Sequence, residues 1–138
     1  MTPRRFERVS FLPQAADDLR SLAARSRPLA IEALRLLVLL DQGRLRPTPL
    51  THFAKTGDLT DCGKIVVALE GHPEYRIVVR DIDGAFRVCE VVAVEDRARD
   101  LPYLLAGMRL NRLDDPIRRS EALRRIDRIR RLREGPSK

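Results

Sequence analysis

Apolar residues recur along this chain with two different periods, and each change of period marks a new element. Phe6 to Phe11 alternates weakly, as a first strand would. Pro13 then suits the first turn of a helix, where its missing N–H costs nothing. Leu12, Ala15, Ala16, Leu19, Leu22 and Ala23 follow at helical spacing, with Asp17, Asp18 and Arg20 on the opposite, solvent side. Ser26-Arg27-Pro28 breaks this helix, and Leu29 to Leu40 makes a second one, apolar nearly all round. A helix of that kind has to be buried. Gly43 is its stop signal. The two are expected as an antiparallel helical hairpin laid on a sheet.

Arg44 to Thr60, with Pro47, Pro49 and Gly57, reads as loop. Period two then takes over. Lys64–Leu69, Tyr75–Ile82 and Phe86–Val94 are expected strands, joined by Glu70-Gly71-His72-Pro73 and by the hairpin signal Asp83-Gly84. Turns this short make the three an antiparallel meander. Helical spacing returns over Arg99–Leu110 and again over Ile117–Leu132, where Asp114-Asp115-Pro116 gives a start and Gly135-Pro136-Ser137 an end. The fold class expected is therefore α+β: an N-terminal strand and helical hairpin packed on an antiparallel β-meander, with C-terminal helices. Residues 1–112 would form the main domain and 113–138 an arginine-rich helical extension.

Charge sharpens this picture. The chain has 138 residues, a formal net charge of +7 and a pI near 10.4. A small domain this basic usually meets a polyanion, most often a nucleic acid. No segment approaches the ~20 apolar residues of a membrane span. Behind Met1-Thr2-Pro3-Arg4-Arg5-Phe6 there is no apolar stretch of the kind a secretory signal needs, so a cytoplasmic location is expected. Aromatic residues are only 4% and Trp is absent, which argues against recognition by stacking on many bases. Cys62 and Cys89 are expected as thiols, small apolar side chains in or near the sheet, although a bridge between them stays open. With no Cys-x-x-Cys, and with His52 and His72 far apart, no metal and no cofactor are expected.

Alternate strand residues point to opposite faces. Ile65, Val67, Leu69, Ile77 and Val79, with Phe86, Val88, Val92 and Val94 of the third strand, would face the leucine-rich helix, and Cys89 and Val91 would lie on the side of Arg87. Lys64, Arg76, Arg80 and Arg87 would share the other face, with Arg97 just past the strand end. Such a row is either a solvated charged face or a phosphate-binding one.

The order Asp61-Cys62-Gly63-Lys64-Ile65, Tyr75-Arg76-Ile77-Val78-Val79, Val92-Ala93-Val94-Glu95-Asp96-Arg97-Ala98-Arg99 and Tyr103 resembles the RelE branch of the RelE/ParE toxin superfamily. The specific part of the resemblance runs from Asp58 to Tyr103, and the architecture from Phe6 to Leu110. It implies a metal-independent endoribonuclease, the toxin of a toxin–antitoxin pair, which cuts translated mRNA in the ribosomal A site. The partners implied are a cognate antitoxin protein, the ribosome and mRNA. Arg76 would stabilise charge on the scissile phosphate. Arg97 would protonate or neutralise the leaving 5′ oxygen, and Tyr103 would stack on or orient the RNA. Lys64 matches the first lysine of the family's pair, whereas the second falls at Val66. Arg80, Arg87 and Arg99 are the expected RNA-binding residues.

The chemistry holds together without a metal. The 2′ hydroxyl attacks the adjacent phosphorus, giving a 2′,3′-cyclic phosphate and a free 5′ hydroxyl. Guanidinium groups can donate bidentately to the charge that builds on the phosphoryl oxygens. A phenol acts as base only in a cationic neighbourhood, which Arg97 and Arg99 offer. An up-down-up meander would put Lys64 at the sheet edge opposite Arg76, where it would bind a neighbouring phosphate. The C-terminal helix would either grip RNA phosphates or cover the sheet with its apolar stripe. Two other readings use the same fold: a ParE-like, non-nuclease inhibitor of a topoisomerase, and an inactive member that only binds RNA or a partner.

Overall fold

A computed structural model describes residues 6–51 and 56–134, with side chains described as far as residue 132. His52 and Gly135-Pro136-Ser137 lie outside the described residues. Among the described residues five strands and four α-helices follow in the order β1 (Val9–Phe11), α1 (Pro13–Arg25), α2 (Arg27–Asp41), β2 (Thr48–Pro49), β3 (Cys62–Val67), β4 (Tyr75–Asp81), β5 (Cys89–Asp96), α3 (Leu101–Arg109) and α4 (Pro116–Glu134); a 3₁₀ turn, Ala98–Asp100, joins β5 to α3. The sheet order is β1-β5-β4-β3-β2, with β1 parallel to β5 and every other pair antiparallel. The fold is the expected α+β class, and the meander is β3-β4-β5.

Local chemistry explains the differences from the sequence reading. Ser26 turns a corner where a break was expected. Its N–H ends α1 on the carbonyl of Leu22, and its Oγ accepts the N–H of Leu29 at 3.3 Å. Helix α2 therefore begins at Arg27, with Pro28 in its first turn. The first strand is only Val9–Phe11, because the Asp41 carboxylate takes the N–H groups of Glu7, Arg8 and Val9. The expected loop 44–60 supplies the short edge strand β2.

The strand expected from Phe86 starts instead at Cys89. The carboxylate of Asp81 accepts the N–H groups of Gly84 and Phe86, and that of Asp83 accepts those of Ala85 and Arg87. Four side-chain-to-backbone bonds wind residues 82–88 into a loop where a two-residue turn was expected. Arg87 thus sits in that loop rather than on the sheet face, Cys89 and Val91 pack on the side of α1 and α2 instead of beside it, and Val92, expected to face the helical hairpin, lies on the opposite side.

Both faces of the sheet are covered. On one side Leu22, Leu29 and Leu37 share a buried cluster with Ile77, Val79 and Val91. On the other, Val78, Val92 and Ala93 share one with Leu101, Leu104 and Ile126. Each such fully buried side chain contributes about 1.5–3 kcal/mol relative to exposure. The face expected to be an open cationic surface is therefore largely a second core, roofed by α3 and, over α3, by α4. The α4 stripe Ala122, Ile126 and Ile129 is buried there, while Ile117, Leu123 and Leu132 are exposed. Cys62 belongs to the second core and Cys89 to the first, and both are free and buried, so the sheet itself separates the two thiols.

One buried ion pair ties the layers together. A register shift in the β4–β5 pairing leaves Val92 as an extra residue, and β1 stops pairing at Val91. The polar groups of β5 beyond that point need other partners. The Asp18 carboxylate of α1 accepts the Val94 N–H at 3.0 Å, and Arg109 of α3 donates to the Val92 carbonyl at 2.9 Å. The two side chains also bind each other through both guanidinium nitrogens. Asp18, expected on the solvent side of α1, is thus buried. Helix α3 is also pressed close to the loop before β3. A Cβ on Gly107 would stand 1.9 Å from the carbonyl oxygen of Thr56, so only glycine allows that approach.

Candidate functional site

Arg76, Arg97 and Tyr103 converge at one end of the meander, around a carboxylate that the sequence reading did not single out. Arg76 lies early in β4, on the face shared with Val78 and Arg80. Its Nη1 donates to the Tyr103 hydroxyl at 3.1 Å, and its Nε donates to Glu74 at 3.0 Å. Its Nη2 donates to the same Glu74 oxygen. Arg97 follows the last residue of β5, and its N–H binds the Glu74 carbonyl, which extends the β4–β5 ladder by one step. That anchor brings the Arg97 Nε to 3.8 Å from the Glu74 carboxylate. Tyr103 sits in the first turn of α3, its ring packed against the second core.

Burial separates the two arginines. The Arg76 side chain is 14% exposed and that of Arg97 is 63% exposed. Burial of Arg76 works against its charge, but the bonds to Glu74 and Tyr103 outweigh this and raise its pKa. Arg76 stays a fixed cation at any physiological pH. Glu74 is held below the usual carboxylate range, first by its hydrogen bond from Arg76, then by the charges of Arg76, Arg97 and Lys64.

Lys64 lies nearer than the meander argument implied. It pairs with Val78, and Val66 pairs with Arg76, so Lys64 is the diagonal neighbour of Arg76 on the same face. Position 66 is directly beside Arg76, yet holds a valine, 43% exposed. On the other flank Arg76 is opposite Glu95, a buried carboxylate 3.6 Å from Arg130 of α4.

Arg80 and Arg87 are not part of this cluster. Arg80 lies four residues along β4, about 13 Å away, and donates twice to Glu90, at 3.1 and 3.0 Å. Arg87 pairs with Asp83 at 3.3 Å in the far loop. Arg99 is exposed in the 3₁₀ turn, two residues beyond Arg97. It and Asp100 have φ of +52° and +63°, consecutive left-handed residues that cost roughly 1–2 kcal/mol each.

The cysteines add no chemistry here. Burial pushes the Cys62 thiol up to about 12 and the Cys89 thiol up to about 11, so neither is a thiolate near neutral pH. Among the described residues no group of three or more His, Cys, Asp and Glu is placed to hold a metal ion, and no helix is long and apolar enough to cross a membrane. Glu74 escaped the sequence reading because one carboxylate before a strand has no pattern of its own. The signal available was its spacing: Glu74 and Arg76, two apart, share a strand face.

No family model matches this chain, and it matches no curated protein and no solved structure.

Proposed function

We propose that this protein is a metal-independent endoribonuclease that cuts translated mRNA on the ribosome, in the manner of RelE-type toxins. The observation that carries this reading is the Arg76–Tyr103 hydrogen bond with Arg97 beside it on the shared carboxylate Glu74. Two guanidinium groups and a phenol within reach of one point suit a phosphoryl group that gains charge during reaction. A scissile phosphate takes the place of the Glu74 carboxylate as acceptor for Arg76 and Arg97. Glu74, already ionised, is then free to take the proton of the attacking 2′ hydroxyl. The family's second lysine is absent here, since position 66 is Val66, and Glu74 is the base that this cluster offers instead.

Arg97, the more exposed cation, offsets the charge on the leaving 5′ oxygen, which takes its proton from water, while Glu74 returns the 2′ proton to solvent. Tyr103 orients the strand through its bond to Arg76, and Lys64 supports the negative charge from the next strand. Even released from its arginine partners, a carboxylate is a weak base toward a hydroxyl proton. Such a centre is slow alone and depends on the ribosome to hold the strand in the reactive geometry.

Induced expression in bacterial cells tests this reading. Growth should stop, and translated transcripts should be cut inside their reading frames while untranslated RNA stays whole. Normal growth with intact messages contradicts it. Growth arrest with DNA damage signalling and intact messages would favour the topoisomerase-directed alternative.

A further inference from the structure

Helix α4 carries seven arginines between Arg118 and Arg131, and several have a carboxylate partner: Arg118 with Asp115, Arg130 with Glu95 and Arg131 with Asp127. Arg125 and Arg128 do not follow that pattern. They stand three residues apart, so they project from the same side of the helix. With Arg99, Asp100 and Ile129 they line a cleft of about 260 Å³ between α4 and the 3₁₀ turn. All three arginines are exposed, and among the described residues none forms a salt bridge. Among the described residues Asp100 is the one carboxylate in the lining, so three arginines against it leave an excess of two positive charges in a small concavity.

Like charges gathered this closely repel, and folding alone gives no reason to gather them. The left-handed pair Arg99–Asp100 is a further cost at the same spot. The turn that supplies Arg99 also begins at Arg97, whose side chain reaches the Glu74–Arg76 cluster. A strand with one phosphate at Arg76 and Arg97 can therefore continue along the turn into the cleft. Among the described residues no aromatic side chain lines the cleft, and its arginines suit the backbone phosphates rather than the bases.

We infer that Arg99, Arg125 and Arg128 form a phosphate subsite for single-stranded RNA, which grips backbone phosphates next to the scissile one without regard to sequence. The direction of the strand rests on the cleavage reading above, whereas the subsite itself is tested by binding alone. The experiment is fluorescence anisotropy of a short 2′-O-methyl oligoribonucleotide, which cannot be cut, over a salt series. The full chain is compared with Arg125→Gln/Arg128→Gln and with the control Arg118→Gln/Arg131→Gln. Each single-strand phosphate contact contributes about 0.7 to the slope of log K against log salt, or roughly eightfold in affinity at 50 mM salt.

The Arg125/Arg128 variant should lose that much per phosphate released, with a shallower slope and an unchanged melting temperature, while the control variant binds as the parent does. Equal affinity and slope in the parent and the Arg125/Arg128 variant would overturn the subsite, as would no binding by the parent. The same holds if poly-glutamate binding falls in that variant and RNA binding does not, which would make the cleft a site for an acidic polypeptide. Loss of RNA binding in a protein that cuts no message would keep the subsite and sink the cleavage reading.

Discussion

Arg76→Ala is expected to slow cleavage of a ribosome-bound message by about 10²–10³-fold, the usual effect of removing one fixed donor to a developing oxyanion. The substitution also frees Tyr103 and Glu74 from their shared anchor, so Arg76→Lys should recover little: an ammonium cannot donate along the three directions that Arg76 uses toward Glu74 and Tyr103. Glu74→Gln is the companion variant, because it leaves an oxygen for Arg76 and Arg97 but cannot accept a proton. Loss of a general base costs about 10²–10⁴-fold. The pH profile separates a base from a mere anchor. Glu74 acts as its carboxylate; its pKa is depressed in the resting cluster, and a phosphate that draws Arg76 and Arg97 away relieves that depression, so activity persists across the neutral range and is lost as pH falls through the carboxylate range. The parent should show an acid limb in the carboxylate range, and Glu74→Gln should lack it. Single-turnover rates over pH measure this. A parent and variant with the same acid limb would leave Glu74 only a structural role.

Asp18→Ala is expected to cost about 3–5 kcal/mol of stability, the usual result of removing one member of a buried ion pair. The side chains of Asp18 and Arg109 are 6% and 11% exposed. Alanine at 18 strands three groups at once: the Arg109 guanidinium, the Val94 N–H it shares the carboxylate with, and the bulged edge of β5 they protect. In a domain of this size the loss corresponds to a drop in melting temperature of roughly 10–20 °C. Asp18→Asn should fall between, since it keeps an acceptor for Val94. The double change Asp18→Leu/Arg109→Leu should cost less than the two single losses combined. Denaturant unfolding of the parent, Asp18→Ala, Asp18→Asn, the double leucine variant and its two single leucine variants checks the series, and a cost below about 1 kcal/mol for Asp18→Ala would contradict it.

The elements that local patterning specifies strongly were legible in the sequence. Helix α2 is apolar nearly all round and is buried as that requires. The meander follows from three period-two stretches, and Arg76, Arg97 and Tyr103 do meet. The second core was also signalled, though by a different feature. Ile77-Val78-Val79 and Val91-Val92-Ala93-Val94 are continuous apolar runs, the mark of strands covered on both faces, and cations on either side of them suggested an open face instead. The residues the sequence hid depend on partners distant in the chain. Asp18 becomes a buried ligand only because the Val94 N–H, 76 residues later and just past the bulge at Val92, is left without a strand partner. The 82–88 loop forms because two aspartates outbid the sheet for its N–H groups, which no turn dipeptide reveals. Lys64 was placed at the wrong end because one pairing, Val66 with Arg76, fixes the register of the whole strand.

The most direct measurement of the central claim is the chemistry of the cut ends. A message translated in a reconstituted system is incubated with the protein, with and without ribosomes, and the fragments are tested for their termini. The cluster of Arg76, Arg97, Tyr103 and Glu74 should give a 2′,3′-cyclic phosphate and a 5′ hydroxyl, only on ribosome-bound message and only with Arg76 and Arg97 present. Uncut message, or fragments with a 5′ phosphate, would contradict it.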